Sequence, residues 1–346
     1  MTIRIRRLEL QKDRDVLIEF LFRHLTPLSD GRRFDWLYLA NPSGKAQVWA
    51  AEDSRTGAMV GASAVFPRAL YESGRERMGF VLGDFCIHPA YRSLGPAVLL
   101  QRTSIEEMSF SNQMLGYDLP GVKMMAVQRR LGLKSTDNLA RLAKPLRMDR
   151  RVSARIKMPS VAKGVSVIGN RILKLRDQMQ HPAVKDTIVQ HEGPCAAEFS
   201  ALAARASMSY GICVARSASY LNWRYLAHPL ARFEVLTARR HGVLNGYLVM
   251  LQEGEDARIV DLFGMPDPTL LAGLILKAVQ LMRERGAMTL SAPLLASHPW
   301  IALFERLGFR KRDSCPVIFY GHVQRTQKEE AGSEPCWFLM DGDRDS

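Results

Sequence analysis

The chain has 346 residues, 47% of them hydrophobic and 24% charged, which is enough to bury two ordinary cores, and no apolar run reaches the ~18 residues of a membrane span. The charged, alternating N-terminus is unlike a signal peptide, and five dispersed cysteines without CxxC spacing indicate reduced thiols in a cytoplasmic protein and speak against a zinc site. A net charge of +13 suits three kinds of partner: nucleic acid, an anionic membrane surface or a polyphosphorylated small ligand.

In chain order, residues 2–10 alternate as a strand, and residues 12–25 set Val16, Leu17, Phe20, Leu21 and Leu25 at helical spacing. Two strands follow, 46–53 and 58–68, joined at a Thr56-Gly57 turn, and then a long strand over 75–89. A helix with Pro96 in its first turn covers 96–108. Residues 112–120 read as an apolar strand, 122–132 as a helix ended by Gly132, and 139–148 as a closing strand. Further on come a hairpin over 233–252, a strand at 257–264 and a helix at 268–286. A strand at 287–295, a helix at 298–308 and a last strand at 315–323 complete the series. The acidic tail 326–346 carries few structure signals, but Trp337 and Phe338 within it are expected to dock.

The second series echoes the first. Trp36-Leu-Tyr-Leu-Ala-Asn-Pro42 returns as Trp223-Arg-Tyr-Leu-Ala-His-Pro229, and Gly57-x-x-x-Gly61 as Gly242-x-x-x-Gly246. Asp84 with Pro89 returns as Asp261 with Pro266, and Arg130-Leu-Gly-Leu133 as Arg306-Leu-Gly-Phe309. The separation drifts only from 187 residues at the tryptophans to 176 at Gly132 and Gly308. Four ordered matches indicate a duplicated unit of about 150 residues. The paired Trp36/Tyr38 and Trp223/Tyr225 are expected to pack, with an acceptor-binding aromatic wall as the sharper alternative. His298 is expected to cap the last helix.

Between the copies, residues 147–192 hold 10 Lys/Arg against 4 Asp/Glu. Val161, Val165, Ile168, Ile172 and Leu175 share one helical face there. The reading favoured here is a basic helix that connects two domains and packs on both. Peripheral membrane contact stays open, although no Trp or Phe lies on that face. Nucleic acid is disfavoured, because no stacking aromatics interleave with the basic residues.

One segment, Gly83 to Arg102, is unlike generic core: a strand ends at Pro89, and a short loop leads into an apolar helix. Amides at a helix start lack intrahelical acceptors and, with the helix dipole, form an anion site. Gly95 removes a Cβ from the approach, and small Ala97 lets a ligand lie on the first turn. Together, Ile87-His-Pro-Ala-Tyr-Arg92 and Arg92-Ser-Leu-Gly-Pro-Ala97, followed by Met114–Pro120 and the Arg130-Leu-Gly-Leu ending, resemble the coenzyme A loop and flanking elements of the GNAT acyltransferase superfamily.

The resemblance covers most of both halves and implies an α+β (mixed α/β) fold of two tandem GNAT-like units. Each would be a mostly antiparallel sheet with splayed strands, flanked by helices. The expected divisions are an N-terminal unit at 1–148, a basic connector at 149–194, a C-terminal unit at 195–325 and the tail at 326–346. Acetyl-CoA or another acyl-CoA is the implied co-substrate, with no metal, held by Arg92, Ser93, Leu94, Gly95 and Ala97 and by backbone at Cys86 and Ile87. Pro96 stands where a donor is usual, so one amide is missing. The second copy has Gly264-Met-Pro-Asp-Pro268 instead of the loop, so only the first copy is expected to bind coenzyme A.

The implied reaction is attack of a primary amine on the thioester, the acceptor being an amino sugar or an envelope-related amine. Asp84, the carboxylate nearest the thioester strand, is the expected base. Gln128 and Phe304 stand where the superfamily often has an acidic tyrosine, so Tyr117 is the substitute acid. An acyl carrier protein or long-chain acyl donor, and a non-catalytic acyl-CoA sensor or scaffold, are the alternatives.

Overall fold

The computed structural model describes residues 3–92, 94–109, 114–179, 186–321 and 336–344. Ser93 and residues 322–335 lie outside them. The first half runs β1 (Ile3–Arg7), α1 (Arg14–His24), α2 (Gly31–Phe34), β2 (Gln47–Asp53), β3 (Met59–Glu72) and β4 (Arg75–Ile87). It continues through α3 (Leu94–Ser109), β5 (Leu115–Asp118), α4 (Val122–Arg130) and β6 (Asp137–Pro145). Next come α5 (Asp149–Ser153), α6 (Pro159–Met179), β7 (Thr187–His191), α7 (Ala197–Ser207), β8 (Ile212–Val214) and α8 (Ala218–Leu221). The rest is β9 (Glu234–Arg240), β10 (Val243–Glu253), β11 (Asp256–Gly264), α9 (Pro268–Glu284), β12 (Thr289–Leu295), α10 (Trp300–Arg306), β13 (Arg310–Tyr320) and β14 (Trp337–Phe338).

Twelve of the described strands form one path, β1-β2-β3-β4-β5-β13-β6-β12-β11-β10-β9-β7, with the short β8 and β14 attached beside β3. The path reads alike from either end. β4 and β5 pair in parallel, as do β11 and β12, and the neighbours outside each of these pairs are antiparallel. At the centre β6 and β13 pair with each other, and each also pairs with a strand of the other half: β6 with β12, and β13 with β5. The closing strands have therefore changed sides, which welds the halves into one sheet.

Local chemistry explains the echoed motifs. Gly57 and Gly242 turn with positive φ, +70° and +81°. Gly61 and Gly246 instead permit close helix packing. A Cβ at Gly61 would come within 2.5 Å of Ile87 Cδ1 and 3.2 Å of Leu100 in α3, and one at Gly246 within 2.9 Å of Leu270 in α9. Both tryptophan motifs are single π-helical turns, closed by Ala40 N–H to Asp35 O and Ala227 N–H to Asn222 O. Trp36 and Trp223 stack with centroids 5.1 Å apart, and each indole N–H donates to the other's backbone carbonyl at 2.8 Å. These tryptophans thus join the two halves at their centre.

One large apolar core runs through both halves, and a smaller one lies under α3. Trp337, Phe338, Leu339 and Met340 are all buried, as expected of the docking pair in the tail. The connecting helix α6 departs from expectation. It buries Ala162, Ser166 and Asp177, while the apolar stripe that was to pack on two domains faces outward. Its amphipathic pattern revealed a face, but not what that face meets. No described helix is long and apolar enough to cross a membrane.

Candidate active site

β4 and β5 are bonded only from Gly79–Leu115 to Val81–Tyr117 and then part. The parting coincides with a bulge in β4, where Asp84 and Phe85 oppose a single residue of β3 and Asp84 takes a positive φ of 44°. Aspartate tolerates that conformation better than most side chains. A cavity of about 620 Å³ opens there, a size that holds a small-molecule ligand. Residues 81–85, Asp118 to Gly121, Gln101 of α3 and Trp36 form one side of it, and Arg224, His228, Arg258 and the tail residues Asp341, Gly342 and Arg344 form the other.

Inside this cavity, Asp118 is the group with unusual chemistry. It ends β5, is 6% exposed, and accepts a hydrogen bond from Gln128 Nε2 at 2.7 Å. Burial pushes its carboxyl up to about 7, against the opposing pull of the Gln128 bond. A carboxyl that titrates near neutrality inside a cavity is suited to proton transfer. Gln128 Nε2 also lies 3.3 Å from the phenol of Tyr320, which the exchanged strand β13 brings across from the other half. Sequence reading noticed Gln128 only as a missing tyrosine and passed over Asp118. Its one signal was a carboxylate at the end of an otherwise apolar strand.

The two residues expected to be catalytic lie otherwise. Asp84 borders the cavity, but its oxygens are committed. Arg33 holds it with two bonds, 2.7 and 2.8 Å, and Tyr38 Oη donates to it at 2.6 Å. Asp261 repeats the arrangement, bonded by Arg216 and by Tyr247 Oη at 2.9 Å. A carboxylate so held in both halves is a structural anchor, which corrects the assignment of Asp84 as base. Tyr117 is 0% exposed, and its hydroxyl donates to the Asp343 carbonyl at 2.8 Å. Successive strand residues face opposite sides, so Tyr117 turns into the core while its neighbour Asp118 borders the cavity. This corrects the choice of Tyr117 as acid.

Cys86 is buried, and its thiol is pushed up to about 12 by desolvation, so it is no nucleophile. Cys86 and Ile87 pair with Ala62 and Gly61 beyond the cavity's β4 wall, which ends at Phe85. On the other wall, His228 takes N–H bonds from Leu230 and Ala231 on Nδ1, at 3.2 and 3.1 Å. Burial and Arg224 push it down to about 4, so it is neutral with its proton on Nε2. His298 caps as expected, its Nδ1 accepting from Trp300 N–H at 3.2 Å.

Compared by sequence, the chain matches no protein-family model and no curated protein. Compared by structure, it is similar to a probable N-acyltransferase of Enterococcus faecalis, at a TM-score of 0.64 and 13% identity, over 92% of this chain and 72% of that one. A GCN5-related N-acetyltransferase from Anabaena variabilis gives the same score and identity over 91% and 72%. The fold is that of the GCN5-related N-acetyltransferases. The N-myristoyltransferase of Saccharomyces cerevisiae, solved with myristoyl-CoA, is also similar: TM-score 0.57 and 11% identity over 92% and 82%.

The loop after β4 is the segment whose sequence resembles a coenzyme A loop. Here a turn over Pro89–Tyr91 is tied down by Tyr91 Oη to Asp53 at 2.7 Å, and α3 starts at Leu94. Arg92 is exposed, with its Nε 3.3 Å from the Ile87 carbonyl. Ser93 falls outside the described residues, while Leu94, Gly95 and Ala97 form the first turn of α3. A Cβ on Gly95 would meet nothing within 4 Å, and that first turn holds no acid. Gln101 reaches the cavity from the same helix, which leaves the helix start about 10 Å from it along the axis. In the second half, Asp267 occupies the equivalent start of α9, accepting N–H bonds from Thr269 and Leu270 at 2.8 and 3.4 Å.

Proposed function

We propose that the chain is an acyl-CoA-dependent N-acyltransferase of two tandem GNAT-like units, 1–148 and 195–325, joined by the connector 149–194 and followed by the tail 326–346. Catalysis takes place where β4 and β5 part, and one observation carries the reading: a cavity at that divergence contains a buried carboxyl, Asp118, titrating near neutrality. The start of α3, with no acid in its first turn, and the likeness in fold to acyltransferases support it.

The acyl thioester supplies the carbon that an amine attacks; the C–N bond forms and the C–S bond breaks. Asp118 takes the proton that the ammonium must lose, and Gln128 fixes the carboxyl's position through its 2.7 Å bond. The departing thiolate is protonated from water. Arg92, Gly95 and Ala97, with Ser93 and Leu94, hold the diphosphate. Neutral His228 and the cations Arg224 and Arg258 form the acceptor side, suited to a polar amine such as an amino sugar.

A long-chain donor is the second reading, favoured by the cavity's size and by the likeness to a protein solved with myristoyl-CoA. Thiol release with acetyl-CoA and myristoyl-CoA, each against a panel of amines, tests both. Release with neither donor, despite acyl-CoA binding, would make the chain a sensor rather than an enzyme.

A further inference from the structure

Helix α6 is held to the body by its polar side. The carboxylate of Asp177 is bonded by Lys144 of β6 and Arg283 of α9, and Asn170 Oδ1 accepts the Met148 N–H at 2.7 Å. Gly169 lets Met148 approach, since a Cβ there would lie 3.0 Å from its Cγ. Opposite these contacts, Val161, Val165, Ile168, Ile172, Leu175 and Met179 fall within about 80° of arc at 100° per residue. They are 42–88% exposed. A row of six exposed apolar side chains in about five turns is a patch that calls for a partner.

The charge around the stripe identifies the partner. Arg171 borders one edge and Arg176 the other, with Lys163 and Lys174 further round the helix, all exposed. The only acid of α6 is Asp177, and it is buried against the body, so every exposed charge on the helix is a cation. Exposed Arg151, Arg155 and Lys157 extend the same charge just before the helix. A second copy laid on the stripe would set these cations against their equals. An apolar stripe rimmed with cations on one side of a helix matches an anionic bilayer surface, apolar below and negative at the headgroups.

We propose that α6 docks the protein on anionic lipid, lying in the interface with this stripe turned into the membrane. The surface is independent of the transfer reaction, since no residue of the stripe borders the cavity between β4 and β5. Cosedimentation with vesicles of equal parts phosphatidylcholine and phosphatidylglycerol tests it, with phosphatidylcholine vesicles as control. Binding is expected to the mixed vesicles only and to weaken as salt is raised. Because Ile168 and Ile172 are exposed, Ile168→Ser with Ile172→Ser leaves the melting temperature unchanged while lowering vesicle binding by about 10-fold or more. Arg171→Glu with Arg176→Glu acts in the same direction. The proposal is overturned if the protein stays in the supernatant with mixed vesicles, or if the double serine variant sediments like the parent. It is equally overturned if the stripe instead supports a dimer that the serine variant dissociates, with no vesicle bound.

Discussion

Between β4 and β5 the parting strands leave a cavity of about 620 Å³, whereas between β11 and β12 the same parting is filled by the chain's own tail. Pairing stops at Val81–Tyr117 in one case and at Arg258–Ser291 in the other. In the second, Met340 bridges to Leu294, its sulfur accepts the Leu262 N–H, and Asp341 bonds Arg258. The residue after the last paired rung is Asp118 in the first half and Ala292 in the second. The helix that follows β4 has room for a Cβ at Gly95 and no acid in its first turn, whereas its counterpart starts under the Asp267 cap. Three differences thus separate the halves, a buried carboxyl, an acid at the helix start and a filled crevice, while the sheet is common to both. On the proposed reading, function resides in a few substituted positions on a repeated frame.

The largest effect is expected at the carboxyl. Asp118→Asn should lower transfer by about 10²–10⁴-fold while acyl-CoA still binds. In the parent, activity should rise with pH through about 7 as Asp118 ionises, a limb absent from the variant. Its folded value lies above the ~3.9 of an unfolded aspartate, so the folded chain holds an extra proton between those values, and stability from this group falls as pH rises through that window. Urea unfolding of parent and Asp118→Asn from pH 4 to pH 8 checks the sign.

Phe338→Ala, which opens the filled crevice, should cost about 3–5 kcal/mol by denaturant unfolding. The cavity between β4 and β5 shares the tail as a wall, so transfer should fall too, unlike the effect of a remote core truncation. Gly95→Glu puts bulk and negative charge at the start of α3, where a Cβ meets nothing within 4 Å. It should weaken acyl-CoA binding by about 10-fold or more, read as a lost thermal shift, with the unliganded melting temperature unchanged. Asp267→Ala sharpens the contrast from the other side: about 1 kcal/mol of stability lost with the cap, and no change in acyl-CoA binding.

The sequence made the repeated frame visible because its landmarks are backbone requirements. Gly61 and Gly246 admit a helix, and the two tryptophan motifs make the same π-helical turn. The exchange of β6 and β13 was hidden, since an apolar strand does not state which neighbour it will bond. Asp84 drew attention through its place on the long strand, yet its partners Arg33 and Tyr38 lie 51 and 46 residues away. Asp118 was masked by the opposite problem. Its significance comes from burial without a countercharge, which only the closed fold creates. The tail carries few local signals because contacts that hold its described part, such as Asp343 with Arg216 across 127 residues, are remote.

The most direct test is the number of acyl-CoA molecules each chain binds, measured by titration calorimetry on the parent and on Gly95→Glu. One site in the parent and none in the variant is the predicted result. Two sites in the parent, or one that Gly95→Glu leaves intact, would contradict the assignment of the open crevice as the binding site.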